Sequence, residues 1–377
     1  MILPEENKEQ VTKPREGLTF YIFSKYRNEL FGISIILIMI FHFFHAVIKY
    51  TPMGGRKYYI SYIFCQAISS VGVEVFMFLS GMGLYFSYTK NKDTGAFFRK
   101  RFVRILVPYA IYGTIAWFIT DMVVADKPFT RYLYDLSLFN FWVSGETRLW
   151  FISAIIVFYI LFPLLYEVVV SKHYVINTGL LTAFLLIAMY VSNVEKHKYF
   201  KLTEIAVTRL PIFIFGILIG RLVFEKARIK PYHIAIAAAA VLLRIFSAVI
   251  GIKGKYGTLP EGLKTVNAHL SSILGNRLES SAFSVGFMAV CLALLMLIKW
   301  KWLHSFLKAA GGMSLELYMA HVTVNGIIRT EGTLDICQPH VYLLSMVISV
   351  SAAVLLHIVS GAVISKINAP KAAPSAT

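Results

Sequence analysis

Short basic connectors cut this chain of 377 residues into apolar blocks of about 20 residues. A helix of that length rises 1.5 Å per residue and crosses the roughly 30 Å hydrocarbon core of a bilayer. Backbone groups in hydrocarbon must be satisfied within the chain, so a series of such blocks predicts a bundle of transmembrane helices. Charged residues are 15% of the chain, against about 25% in soluble domains. The predicted fold class is therefore all-α: a polytopic integral membrane protein with about ten transmembrane helices around an interior cavity.

The ten spans are expected near 29–50, 67–89, 102–125, 149–170, 174–193, 205–224, 232–252, 281–299, 311–329 and 341–365. Residues 1–28 then form a cytoplasmic N-terminal segment, 29–366 the transmembrane domain and 367–377 a short disordered tail. An even number of spans places both termini on one side. The strongly basic connectors 90–104 and 221–230 fall on that side. The positive-inside rule makes it cytoplasmic, in a cytoplasmic membrane. The N-terminus lacks the apolar core of a signal peptide, so the first span is expected to act as its own insertion signal. Two long connectors, near 126–147 and 253–280, face outside, the second with room for a short amphipathic helix.

The net charge of +17 resides mainly in these short connectors. Topology and anionic lipid headgroups account for it, and no nucleic-acid partner is expected. Cys65, Cys291 and Cys337 lack metal-ligand spacing, and no metal is expected. The oligomeric state is not readable.

Ionisable residues inside spans are costly and point to function. His42 lies a little past the middle of the first span. A neutral imidazole can take a proton from a hydroxyl near neutral pH. A histidine that only bridges helices fits the same position. His45, nearer the interface, reads as structural. In the second span Glu74 stands at about the depth of His42. A Glu74–His42 pair would orient the imidazole and stabilise its protonated form. Ser80, Gly81 and Gly83 read as packing residues.

Arg101 and Arg104, with Lys100 beside them, enter the third span one helical turn apart. Guanidinium groups so placed suit phosphate; a positive-inside anchor is the plainer reading. Arg148 and Trp150 open the fourth span, suited to a polar substrate or to an interfacial anchor. Arg209 precedes Pro211, and Arg244 sits within the seventh span. The ninth span carries Glu316, Tyr318, His321 and Asn325, too polar for a lipid face, and so is expected to line the cavity. His321 is counted with Arg148 and Trp150 as a substrate-side residue.

Together these stretches resemble the membrane acyltransferase 3 family. GISIILIMIFH, ending at His42, resembles its first helix, and GVEVFMFLSG, with Glu74 in the acidic position, its second motif. RFVRILVP, from Arg101 to Pro108, resembles its basic segment. LWFISAIIVFYILFPLL, RLPIFIFGILIG and GGMSLELYMAH resemble its middle and late helices. The family usually carries an Arg eleven residues before the first-helix His. Here that position is Phe31, and Arg27 lies one turn earlier on roughly the same face. The resemblance is to the standalone form, without a fused esterase-like domain.

The resemblance implies an integral-membrane O-acyltransferase. The donor would be acyl-CoA, most often acetyl-CoA, and the acceptor a hydroxyl of a cell-surface glycan or lipid-linked saccharide. His42 and Glu74 would be catalytic, and Arg101, Arg104 and Lys100 would hold the CoA phosphates. A transporter or flippase of a saccharide or lipid-linked precursor is the alternative. It too would use many spans and buried ionisable groups, but no inverted repeat supports it.

Overall fold

A computed structural model describes residues 17–68, 71–331 and 334–369, with the side chains of residues 330 and 331 left aside. The predicted segment 1–28 therefore lies partly, and the tail 367–377 mostly, outside the described residues. The described residues are helical, with no β-strand among them.

Thirteen helices matter for the site: α1 (Arg27–Tyr50), α2 (Arg56–Ile68), α3 (Val71–Lys90), α4 (Thr94–Trp117), α5 (Trp150–Val170), α6 (Tyr174–Val194), α7 (Lys198–Val207), α8 (Leu210–Phe224), α9 (Pro231–Tyr256), α10 (Ile273–Leu297), α11 (Lys301–Gly312), α12 (Ser314–Glu331) and α13 (Pro339–Asn368). Nine stretches among the described residues are long and apolar enough to cross a membrane. They correspond to nine of the ten expected spans. The other, near 311–329, is present as α12. Its Glu316, His321, Asn325 and Arg329 make it too polar to stand out by composition.

Several boundaries differ from expectation. The second crossing starts earlier, because the tyrosine-rich α2 leads into α3. α4 continues into a π-helical turn, Phe118–Val124. The ninth crossing is preceded by α11, in a stretch expected to be a connector. Short helices occupy both long connectors, at Phe129–Leu136, Phe139–Ser144 and Glu261–Ser271.

Small residues bring the central helices together. A Cβ on Gly216 of α8 would lie 2.1 Å from the Phe78 carbonyl oxygen of α3, and one on Gly81 would lie 2.3 Å from that of Phe213. Helix packing in bilayers relies on such approaches, because lipid gives apolar side chains no reason to leave it. Gly32 and Gly311 do the same for α1 against α11. α6 and α13 are mostly exposed at the periphery, with Leu180, Phe184, Leu355 and Ile358 facing outward. One buried pair ties α9 to α10: Arg244 meets Glu279 at 2.8 Å and also donates to the carbonyls of Gln66 and Ala67 at the end of α2. These carbonyls lie at the C-terminal, negative end of α2, which favours the guanidinium, while Glu279 balances its charge.

Candidate active site

The last turns of α1 and α12 meet the first turns of α3, α5 and α10 at the end of the bundle opposite the start of α1. Between them lies a cavity of about 660 Å³. His42 lines it from α1. Its Nδ1 lies 2.8 Å from Nε2 of His321 on α12, with the two rings stacked 5.0 Å apart. His321 is fully buried, and its Nδ1 lies 2.9 Å from the Leu317 carbonyl oxygen.

This chain of contacts assigns the protons. A carbonyl only accepts, so Nδ1 of neutral His321 carries hydrogen and its Nε2 accepts. Nδ1 of His42 must then donate to it, which leaves a lone pair on Nε2 of His42. That nitrogen has no hydrogen-bond partner among the described residues, and its ring borders the cavity. An imidazole held in this way can act as a general base.

The orienting group is not Glu74. Glu74 is fully buried, and its carboxylate meets Arg209 at 3.3 Å and accepts from the Ser281 hydroxyl at 3.3 Å. The reason is rotational. Gly72 is the α3 position that faces α1, since a Cβ there would lie 2.7 Å from Ile38 and from the Ser34 carbonyl oxygen. Glu74 follows two residues later, about 200° around the helix, and so points away from His42. A similar position along two spans does not fix direction around them. Arg209 also donates to the Ile205 carbonyl and lies over the Trp150 ring, 5.0 Å from its centre. Glu74 thus balances a buried arginine on the cavity wall.

Arg148, Trp150 and His321 are all brought to this end of the bundle, Arg148 and Trp150 as cavity-lining residues. Arg148 is already held by protein. It meets Asp121 at 3.4 Å and Glu146 at 3.4 Å, and lies over the Trp117 ring. Asp121, from the π-helical turn, also binds Lys127 at 2.9 Å. Nearby Asp135 meets Arg131 at 3.0 Å and accepts from the Asn140 amide. Burial, together with neighbouring Asp121, pushes the Asp135 carboxyl above its ordinary value. Lys49, Glu204, Arg277 and Arg329 also line the cavity. No sequence signal singles them out, since each looks like an ordinary charge at the end of a span.

The predicted phosphate-binding residues lie at the other end of α1. Arg101 is partly buried near the Phe97 ring, and Lys100 and Arg104 are exposed. Arg27 joins them. Its guanidinium packs against Gly83, and its charge acts on those of Arg101 and Arg104. No carboxylate lies within ion-pair distance of these three arginines among the described residues. The Nε atoms of Arg27 and Arg101 are buried without a hydrogen-bond partner. Phe31, at the position where the resemblance led to an expected Arg, lies beneath the Arg27 guanidinium, 4.8 Å from ring centre to Cζ. His45 is exposed and stacks on Phe41. Among the described residues no group of three or more His, Cys, Asp or Glu side chains converges where it could hold a metal ion.

A bundle with an oriented imidazole in a cavity at one end and unpaired arginines at the other suits group transfer. Comparison agrees: residues 32–358, nearly the whole chain, match a family model described as an acyltransferase domain. No curated protein and no solved structure matches the chain. The chain belongs to the acyltransferase 3 family and is a membrane acyltransferase.

Proposed function

We propose that this acyltransferase takes an acyl group, acetyl in the simplest case, from acyl-CoA. It passes that group to a hydroxyl of a glycan or lipid-linked saccharide. The observation that carries the reading is the relay from the Leu317 carbonyl through His321 to His42, which leaves Nε2 of His42 free to accept a proton beside the cavity.

The acceptor hydroxyl gives its proton to Nε2 of His42 as its oxygen attacks the thioester carbonyl. The carbon–sulfur bond then breaks, and the CoA thiolate takes the proton from His42. Atoms and charge balance without another reactant. His321 keeps the imidazole in the reactive tautomer and accepts from Nδ1 more strongly as His42 becomes charged.

Arg27, Arg101 and Arg104 hold the donor's phosphates, with Lys100 at the exposed margin. Buried guanidinium groups without a carboxylate favour an incoming anion. Fifteen residues of α1 separate Arg27 from His42, about 22 Å along the axis. A thioester on a long flexible arm spans such a distance while its phosphates stay at the start of the helix. The connectors 90–104 and 221–230 and the first and last described residues are at the Arg27 end, which is taken as cytoplasmic. The acyl group then enters from the cytoplasm and leaves on a hydroxyl presented from outside.

The test is incubation of purified protein with labelled acetyl-CoA and surface glycan, following CoA release and label on glycan. Both are expected for the wild type and lost in His42→Ala. Equal release by the two proteins refutes the reading.

A further inference from the structure

We propose that the acceptor is anionic, and that Lys49 and Arg329 hold its negative group while His42 takes the proton of its hydroxyl. The proposal rests on the acyl-transfer reading above and names the chemical class of the acceptor.

The charges around the cavity carry it. Five cationic side chains line the wall, Lys49, Arg148, Arg209, Arg277 and Arg329, against one carboxylate, Glu204. Three of the five are balanced. Arg148 is held by Asp121 and Glu146, Arg209 by Glu74, and Arg277 grips Glu204 through two contacts at 3.2 and 3.3 Å. Lys49 and Arg329 have no carboxylate within ion-pair distance among the described residues, and both are exposed to solvent.

Their placement is specific. Lys49 follows His42 by seven residues, two turns along the same face of α1. Arg329 follows His321 by eight residues on α12, and its Nε donates to the Asn325 carbonyl at 3.0 Å. The charges of both act on His45 and on the Tyr50 hydroxyl, so they belong to one patch. Two helical turns put that patch about 11 Å from the paired imidazoles. A negative group there would sit on the unit next to the one being acylated: an acidic sugar, or the phosphate of a sugar–phosphate linkage. The two sources share one chemistry, an oxyanion recognised by an ammonium and a guanidinium.

Membrane anchoring does not account for these cations. Basic residues that fix topology gather on the cytoplasmic side, and in the proposed orientation Lys49 and Arg329 face the other way.

The test is binding without donor. Purified wild type in neutral detergent is titrated with trigalacturonate, with the uncharged galactose trisaccharide, and with a phosphorylated galactose trisaccharide. At low salt at least one charged probe is expected to bind about tenfold or more tighter than the neutral one. Added salt should narrow the gap. The gap should vanish in Lys49→Gln/Arg329→Gln, with neutral-probe binding unchanged and the protein still eluting as a single species. Preference for trigalacturonate identifies an acidic sugar, and preference for the phosphorylated probe identifies a phosphate linkage; either supports the proposal. Equal binding of all three, binding of none, or a charge preference that survives the double substitution overturns it. No acyl-CoA is present, so this outcome is independent of turnover. Failure of His42-dependent CoA release would instead count against the acyl-transfer reading and leave the binding result standing.

Discussion

Glu74 and Arg209 form an ion pair at 3.3 Å in which both side chains are sealed from solvent. The pair ties α3 to the junction between α7 and α8 and sets the position of the guanidinium on the cavity wall. Breaking such a pair leaves a buried charge without its counterion, at a cost of about 3 to 5 kcal/mol. Glu74→Gln and Arg209→Gln should therefore each lower the thermal unfolding midpoint in detergent. The double variant Glu74→Gln/Arg209→Gln should recover part of the loss. A Glu74→Gln protein as stable as wild type but slow in transfer would restore Glu74 to a direct role at His42.

His321 acts through His42 and is a positioning residue. His321→Ala removes the acceptor that fixes the His42 tautomer, so turnover should fall by about 10² or more, the low end of the general-base contribution. The KM for acceptor should change little. Steady-state kinetics with acceptor varied at saturating acetyl-CoA separates the two. A large rise in KM with turnover unchanged would make His321 a binding residue.

The fold was legible where the signal is local. Nine of the ten expected spans are long and apolar enough to cross a membrane, and the polar residues expected in the span near 311–329 lie on α12. His42 and His321 were each singled out, but not as a pair. They are 279 residues apart, and no spacing within either helix encodes the other. Glu74 was misdirected because depth in the membrane can be counted from the chain, while direction depends on which face of α3 meets α1. Gly72 held that information: a glycine packed against α1 places the residue two positions on at the far side. Likewise Arg27 reaches the arginine group through the gap left by Gly83, a relationship between two helices that neither motif records.

Arg27 and Arg101 are expected to share the donor's phosphates. Arg27→Ala and Arg101→Ala should each raise the KM for acetyl-CoA about tenfold, corresponding to about 1.4 kcal/mol. Acceptor KM should stay near the wild-type value. Comparison with dephospho-CoA shows which arginine meets the 3′-phosphate, since that variant loses discrimination between the two donors. Equal KM for both donors in the wild type would place that phosphate elsewhere.

Asp135 gives a pH dependence with a definite sign. Its carboxyl is raised by burial and by Asp121, so the folded state holds its proton more tightly than the unfolded chain does. That contribution to stability is fully present below the ordinary carboxylate value, about 3.9. It is lost as pH rises through the raised value in the folded protein. Asp135→Asn cannot titrate. Its unfolding midpoint relative to wild type should therefore climb as pH is raised from about 4 towards 7. A difference that stays flat or falls over that range would show that Asp135 is not raised.

The most direct measurement is acyl transfer by His42→Ala, set beside a control that reports on folding. Purified wild type and variant would be compared for elution in detergent, for acetyl-CoA binding, and for CoA release with glycan present. The expected result is unchanged elution, acetyl-CoA bound within about twofold of wild type, and CoA release lowered by about 10² or more. His42→Ala protein that is folded, binds donor and releases CoA at the wild-type rate would contradict the assignment of Nε2 of His42 as the base.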